Sequence, residues 1–310
     1  MPELPEITVL ARQMKTELVG KTFTSVEVLQ PKCLNIPKEA FVEALTGAQL
    51  LDVTHRGKWL FVETTQGWLL LNLGMGGEIL LTTRDTLPEK YRLTFDFDDG
   101  TCLAVNFWWF GYAHLAAELA DHSATARLGP DALSLTLDQF RELLGGRRGG
   151  IKSFLLNQRR IAGIGNVYVQ DPLFKAGIHP LRKINTLDDD EITALWQAIQ
   201  DTLQESIDLG GSAWERDLHG EKGRWDQSFF LVAYREGQPC PACGATVVKI
   251  KTGSTSSFVC PRCQSLGDEV LRDHLEGHSA QDHPREGVVH RTAPGQQAAV
   301  KREARETTEE

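Results

Sequence analysis

Four cysteines in two closely spaced pairs constrain the fold of this chain more than any other feature. Cys240 and Cys243 form a Cys-Pro-Ala-Cys pair, and Cys260 and Cys263 form a Cys-Pro-Arg-Cys pair after sixteen intervening residues. Each pair presents two thiolates from a tight turn, and four sulfurs complete a tetrahedron around one Zn²⁺ with no open position. The spacing therefore predicts a structural zinc site, and a redox dithiol is the alternative.

The residues around the cysteine pairs indicate how this end of the chain is organised. Residues 246–250 and 256–259 are predicted to be the two arms of a β-hairpin, which makes 237–264 a small zinc ribbon. Residues 265–310 are rich in His, Glu, Arg, Gln and Thr and contain few large apolar side chains. Such a composition cannot bury a core, so it predicts a disordered tail.

Short apolar runs separated by turn residues dominate the first third of the chain. The predicted strands are 22–29, 49–55, 59–64, 67–73, 78–82, 91–97 and 101–105. Asp99-Gly100 is a strong hairpin turn. An amphipathic helix at 5–18 precedes the strands and a short helix at 41–45 interrupts them. The pattern predicts an N-terminal β-sandwich domain with an N-terminal helix over residues 1–126.

Helical periodicity replaces the strand pattern after a linker at residues 127–133, Arg-Leu-Gly-Pro-Asp-Ala-Leu. The predicted helices are 137–144, 151–157, 167–176 and 188–207. They place a helical domain at 134–236, and the fold class of the whole chain is α+β. The polar stretch 214–226, with scattered aromatic residues and glycines, is predicted to be a mobile loop.

Two stretches of the helical region suggest contacts with nucleic acid. Gly145-Gly-Arg-Arg-Gly-Gly150 lies at a helix start, where backbone amides and basic side chains can both hold phosphate. Ile161-Ala-Gly-Ile-Gly-Asn-Val-Tyr168 leads into a second helix, and its glycines permit close approach of the backbone. A helix-turn-helix-like DNA-binding unit and a plain helical hairpin both fit this pattern.

The N-terminus, Met1-Pro-Glu-Leu-Pro-Glu6, offers an unusual reagent. The small residue after Met1 permits its removal, which would leave Pro2 as a secondary amine that titrates near ~7.7–8.0. Such an amine attacks an aldehyde-like carbon to form an iminium, and Glu3 can act as general acid or base on the same carbon. The alternative is an ordinary helix start, since proline and acidic residues favour the first turn.

Composition limits the class of protein and of partner. The chain of 310 residues is 41% hydrophobic and 24% charged, with no apolar run long enough to span a bilayer, so we expect a cytoplasmic protein without membrane contact. No feature predicts an oligomer, and we expect a monomer. The net charge of -9 means that any DNA-binding face must be a local basic stripe.

Three motifs together resemble the formamidopyrimidine-DNA glycosylase and endonuclease VIII family. They are Pro-Glu-Leu-Pro-Glu at the N-terminus, Gly-Ile-Gly-Asn-Val-Tyr with its Leu-Phe-Lys-Ala-Gly-Ile-His-Pro continuation, and the Cys-Pro-Arg-Cys-Gln ribbon. They occur in the family's order over residues 2–264. The resemblance implies a bifunctional base-excision repair enzyme that binds damaged DNA, duplex or partly single-stranded, between a β-sandwich and a helix-two-turn-helix domain, with a zinc finger.

The resemblance also assigns residues one by one. Pro2 resembles the nucleophile that attacks C1′ of the damaged nucleotide, Glu3 the acid that protonates the sugar ring oxygen, and Glu6 a second active-site carboxylate. The remaining assignments concern contacts with DNA: phosphate-binding positions at Lys58, Lys152 and Asn166, and wedge positions, which fill the gap left by a flipped base, at Met75 and Phe110.

Two positions depart from the family pattern. Trp108 occupies the place of the wedge arginine that reads the orphaned base, and tryptophan stacks but cannot make the arginine's paired hydrogen bonds to cytosine. Thr255 occupies the place of a finger arginine that grips phosphates, and Arg262 lies nearby. These departures predict an altered lesion or opposite-base preference. A lesion- or abasic-site-binding protein with weak excision is the alternative.

Overall fold

The strands that follow the N-terminal helix form two four-stranded antiparallel sheets, with a hydrophobic core between them. The computed structural model describes residues 1–108 and 110–266, and the predicted tail lies outside them except for its first two residues. The first sheet has the order β1-β6-β7-β5 and the second β2-β3-β4-β8. The strands are β1 Phe23–Val28, β2 Leu50–Arg56, β3 Trp59–Thr64, β4 Gly67–Asn72, β5 Glu78–Thr83, β6 Leu93–Phe97, β7 Thr101–Asn106 and β8 Tyr112–Ala116.

The inner faces of both sheets contribute to one hydrophobic core, which confirms the predicted sandwich. Alternation along β3 and β4 sends Leu60, Val62 and Leu69 into this core together with Phe95 from the other sheet. Helix α1, Leu4–Leu18, covers the core with its apolar face from Ile7 onward, and α2, Lys38–Leu45, packs on β1. The strand β8 was not predicted, because its sequence Tyr-Ala-His-Leu-Ala contains no β-branched residue.

A second core belongs to the helices that follow. They are α3 Leu137–Leu144, α4 Ile151–Leu155, α5 Gln170–Lys175 and α6 Asp189–Asp208. Asp188 caps α6 by accepting a hydrogen bond from the Glu191 amide, and Gly210 and Gly211 end it with positive φ angles. Leu4, from the start of α1, is part of this core and not of the sandwich core.

The stretch 214–226 differs from the predicted mobile loop, because two of its apolar side chains, Leu218 and Trp225, are buried. Leu218 is fully buried in the sandwich core, and its carbonyl accepts a hydrogen bond from the Leu81 amide at 2.8 Å. Trp225 stacks on Tyr168 with ring centroids 4.6 Å apart. The polar composition of the stretch gave no sign that Leu218 and Trp225 would be buried, because their burial depends on contacts with residues distant in sequence.

A two-stranded hairpin, β9 Val248–Thr252 and β10 Thr255–Val259, forms the small unit that carries the cysteine pairs. The first arm of the hairpin was predicted two residues too early, at 246–250. The turn is made later than expected, by Gly253, which has a φ of +61°. Phe258 and Val247 pack with Phe174 of α5 in a third core. The finger is therefore attached to the helical domain through an apolar contact.

Candidate active site

The start of α1 is held rigidly by backbone and side-chain hydrogen bonds. Glu3 is the N-cap, and its amide donates to Glu6 Oε2 at 2.8 Å in a capping box. The Leu4 amide donates to the Gly163 carbonyl at 3.1 Å. Pro2 is buried immediately before this turn. The segment therefore forms the capped helix start that one of the two interpretations predicted, and the reactive N-terminus stays a prediction.

Glu3 and Lys58 come from different elements and meet beneath the N-terminus. Glu3 is 3% exposed, and its Oε1 accepts from the Val167 amide at 3.1 Å and lies 4.0 Å from Lys58 Nζ. Its Oε2 is buried and has no hydrogen-bond partner among the described residues. A buried carboxylate oxygen without a partner is costly, so this atom is available for a proton or a substrate group.

Because Gly165 has no side chain, the Glu3 carboxylate and the Lys58 ammonium group can lie close together. A Cβ at this position would overlap both the Glu3 carboxylate and Lys58 Nζ. Gly163, with φ +107°, approaches Leu4 in the same way. The predicted close approach of the Gly-Ile-Gly backbone is therefore an approach to the N-terminal motif.

Glu6 is enclosed by donors. Its Oε1 accepts from the Tyr168 hydroxyl at 2.5 Å and from the Ser212 amide at 2.9 Å, while Oε2 accepts from Glu3. Burial raises the pKa of Glu6 to about 7 despite these donors. The same burial, next to the Glu6 carboxylate, holds the pKa of Tyr168 well above its usual value. Glu6 therefore organises the surrounding backbone and has little freedom to turn toward a ligand.

Two cavities lie on either side of Met1. One, of about 340 Å³, is lined by Glu3, Glu6, Trp214 and Glu215 among others. The other, of about 380 Å³, is lined by Lys58, Asn166 and Thr255 among others. The Met1 ammonium group donates to Glu215 Oε1 at 2.7 Å. The sequence analysis did not find Trp214 and Glu215, because they lie in the stretch interpreted as a polar loop.

Asn72 is a further cavity residue that the sequence analysis missed. Its Nδ2 donates to the Lys58 carbonyl at 3.0 Å and its Oδ1 accepts from the Gly74 amide at 3.1 Å. It therefore links the turn between β2 and β3, which carries Lys58, to the loop that carries Met75. An asparagine just before a glycine loop was the available signal, but such residues are common in turns.

Lys152 lies at the start of α4, where the helix was predicted, and its side chain contacts the finger hairpin. It is 2% exposed, and its Nζ donates to Thr252 Oγ1, Thr255 Oγ1, the Ser256 carbonyl and Ser257 Oγ at 2.8–3.0 Å. Burial lowers the pKa of Lys152 to about 8. The ammonium group donates to the finger hairpin in this structure, and the phosphate-binding assignment of Lys152 stays a prediction. Arg262 is exposed but lines neither cavity.

The residues at the three predicted wedge positions carry exposed apolar side chains. Met75, Trp108 and Phe110 are 56%, 69% and 73% exposed, and the Trp108 amide donates to the Met75 carbonyl at 3.3 Å. Phe110 has φ +58°, a left-handed conformation that is costly for an aromatic residue. Large apolar side chains held in the open in this way indicate a surface that binds a partner.

The four cysteines of the finger converge as predicted. All four Sγ atoms lie within 4.8 Å of one another, and the separations are 3.8 Å for Cys240 to Cys263 and 3.4 Å for Cys243 to Cys260. Zn–S bonds of about 2.3 Å in a tetrahedron require sulfurs about 3.8 Å apart. The donor set and its geometry therefore fit one structural zinc ion, which confirms that prediction.

Comparisons with known proteins agree with this arrangement. The Formamidopyrimidine-DNA glycosylase N-terminal domain matches residues 1–106, the Formamidopyrimidine-DNA glycosylase H2TH domain matches 128–217, and the zinc finger found in FPG and IleRS matches 237–266. A formamidopyrimidine-DNA glycosylase from Roseiflexus sp. (strain RS-1) is 36% identical over 273 residues, covering 85% of this chain and 100% of that protein. The chain belongs to the formamidopyrimidine-DNA glycosylase and endonuclease VIII family.

Other family members show the same extent of similarity. The formamidopyrimidine-DNA glycosylase of Gluconobacter oxydans (strain 621H) is 38% identical over 278 residues, covering 85% of this chain and 100% of that protein. The Lactococcus lactis Fpg in complex with abasic-site DNA superimposes with a TM-score of 0.79 at 32% identity, covering 85% of this chain and 100% of that one. Family membership makes the chain a DNA glycosylase with AP lyase activity. No helix among the described residues is long and apolar enough to cross a membrane.

Proposed function

We propose that the protein is a bifunctional DNA glycosylase and AP lyase of base excision repair that uses the amine of Pro2 as its nucleophile. The observation that carries the proposal is the position of Glu3, which follows Pro2: its buried Oε2 has no hydrogen-bond partner among the described residues, and its Oε1 lies 4.0 Å from Lys58 Nζ. Removal of Met1 would free the Pro2 nitrogen at this point. An amine, a carboxylic acid and a cation are the groups that attack at C1′ requires.

The steps follow from the chemistry of these groups. The Pro2 nitrogen attacks C1′ of a flipped nucleotide, the glycosidic bond breaks, and the base leaves with its electron pair. The nitrogen then gives up its N–H proton, which the departing base can take, and regains a lone pair. Glu3 gives a proton to the sugar ring oxygen, the bond between C1′ and that oxygen breaks, and an iminium remains. The iminium acidifies the 2′ proton, whose loss expels the 3′ phosphate. The same logic permits loss of the 5′ phosphate.

DNA contacts supplement this chemistry. Lys58 and Asn166 line one cavity and are suited to hold a phosphate beside the lesion, with Thr255 as a neutral neighbour. Met75, Trp108 and Phe110 are suited to fill the gap left by the flipped base. Because Trp108 offers stacking without paired hydrogen bonds to the orphaned base, we expect a weak preference among opposite bases.

Borohydride trapping on an abasic-site duplex tests the proposal. The processed wild type should form a covalent adduct, and Pro2→Gly should lower its yield at least tenfold, because glycine lacks the ring that fixes the position of the amine at the helix start. Glu3→Gln should reduce adduct formation at least tenfold. The same assay with each of four opposite bases should give rates within a few-fold of one another.

Intact mass must first confirm that Met1 is absent and that zinc is bound. If the wild type then gives no adduct, the lyase mechanism is wrong. Binding of the abasic duplex in a gel shift would in that case support a lesion-binding protein with weak or lost excision.

A further inference from the structure

The cavity beside Glu3 is lined by aromatic and acidic side chains. Trp214, Tyr234 and Glu215 line it together with Glu3 and Glu6. Its volume of about 340 Å³ and its place next to Pro2 suit the base of a flipped nucleotide, and this reasoning rests on the proposed function. The hydrogen-bonding groups that remain free in this cavity therefore determine which bases it accepts.

Most polar atoms of the cavity already have partners. The Glu6 oxygens accept from the Ser212 amide, the Tyr168 hydroxyl and the Glu3 amide. The Glu215 carboxylate instead accepts from the Met1 ammonium group at 2.7 Å, and its side chain is only 17% exposed. The ammonium nitrogen stands in for an N–H donor inside the cavity. Removal of Met1 leaves a carboxylate that is directed toward such a donor.

Trp214 adds a stacking surface beside this carboxylate. Its ring makes edge-to-face contacts with Phe230 at 5.4 Å and with Tyr234 at 5.2 Å, yet the residue is 46% exposed. The two contacts fix the orientation of the indole while leaving part of it open. An indole held in this way can stack on a planar or nearly planar base.

We propose that Glu215 is a specificity-determining residue that accepts two adjacent N–H donors from guanine-derived lesions, with Trp214 stacked on the base. Guanine and its ring-opened product FapyG carry N1–H and the 2-amino group side by side, which matches the two oxygens of one carboxylate. FapyA, the ring-opened product of adenine, has an acceptor nitrogen at the corresponding ring position. A carboxylate facing that acceptor is repelled, so Glu215 should favour FapyG.

FapyG and FapyA duplexes with the same opposite base provide the test, since the two lesions share the opened ring and differ in this edge. Single-turnover excision is measured for wild type, Glu215→Gln and Glu221→Gln, and each rate is divided by the same variant's rate of trapping on an abasic duplex. Glu221 is an exposed carboxylate of the same segment that does not line the cavity, so its variant is the matched control.

We expect Glu215→Gln to lower the normalised FapyG rate tenfold or more, as loss of a paired hydrogen bond implies, and the FapyA rate less than threefold. Glu221→Gln should match the wild type on both lesions. Equal losses on the two lesions, an unchanged FapyG rate, or a wild type that traps abasic sites but prefers FapyA or leaves FapyG intact would each overturn the inference. A wild type that traps no abasic site would instead contradict the proposed function itself.

Discussion

Glu3 and Glu6 are three residues apart but acquire different chemistry from their surroundings. Glu6 accepts three hydrogen bonds and has a pKa raised to about 7 by burial. Glu3 keeps one buried oxygen without a partner among the described residues. A carboxyl group with all its acceptors occupied stabilises a fixed geometry, whereas one with a free oxygen can exchange protons with a ligand.

The raised pKa of Glu6 predicts a pH dependence of stability. A folded-state pKa above the unfolded value means that the native state binds more protons between pH 4.5 and 7, so stability falls as pH rises through this window. The loss attributable to Glu6 is about 3 kcal/mol. Glu6→Gln should remove it, and the measurement is the thermal midpoint at several pH values with zinc held constant. Glu221→Gln should keep the wild-type slope, and an equally steep slope in Glu6→Gln would contradict the assignment.

At this scale the sequence identified three residues that the structure brings close together, Glu3, Glu6 and Lys58, but not all of their neighbours. Glu3, Glu6 and Lys58 are recognisable in motifs, because each belongs to a short segment with a fixed local conformation. Trp214 and Glu215 were missed, since they line a cavity together with residues of the N-terminus that are more than 200 positions away in the sequence.

The finger hairpin shows how one side chain joins two elements. Lys152 lies on α4, and its ammonium group reaches four acceptors on β9, β10 and the residues near their turn. Thr255, which lacks the charge predicted by the family pattern, is one of these acceptors and also lines the cavity with Lys58. The buried cation therefore lies directly behind a neutral residue of the candidate phosphate site.

Replacing Lys152 with methionine should loosen the hairpin. A hydrogen bond from a charged group contributes roughly 1.5–3 kcal/mol, so we expect the hairpin to lose at least about 2 kcal/mol of local stability. Hydrogen exchange of residues 248–259 measures this loss directly, with zinc content checked in parallel. Lys251→Met is the control: it changes an exposed lysine on β9 and should leave the hydrogen exchange of the hairpin unchanged. Equal protection in both variants would show that the finger is held mainly by its apolar contact with α5.

The hairpin and the sandwich also mark the limits of sequence reasoning at the level of elements. Short apolar runs separated by turn residues predicted seven of the eight sandwich strands. β8 lacked that signal, since its place is fixed by pairing with β4, from Asn72 with Tyr112 to Trp68 with Ala116. Propensity is weak wherever pairing with a distant strand decides the structure.

The first turn of α1 joins the two larger cores of the molecule. Leu4 packs with the helices, whereas Ile7 and Leu10 on the same helix pack with the sheets. Glu3 accepts from the Val167 amide and Glu6 from the Ser212 amide, so the candidate reactive segment also connects both halves through hydrogen bonds. The same few residues therefore position the candidate reactive segment and connect the sandwich to the helical domain.

Leu4→Ala and Leu10→Ala separate these two effects. Each removes a fully buried leucine and should cost about 2–5 kcal/mol of stability. Leu4→Ala should also slow borohydride trapping at least tenfold, because it frees the segment beside Glu3 from the helical core, whereas Leu10→Ala should slow trapping less than threefold. Thermal midpoints and trapping rates at a temperature where both variants are folded measure the difference. Equal trapping rates would show that Leu4 does not position the N-terminus.

The position of Met1 between two cavities bears on the design of inhibitors. The cavities of about 340 and 380 Å³ share Met1 as a lining residue, so its removal should merge them into one longer pocket around Pro2. A small molecule that spans both volumes would then bind only the processed chain, whereas a fragment that fills one volume would tolerate either form. Such a pair of ligands would report, in a binding titration, what fraction of a preparation has matured.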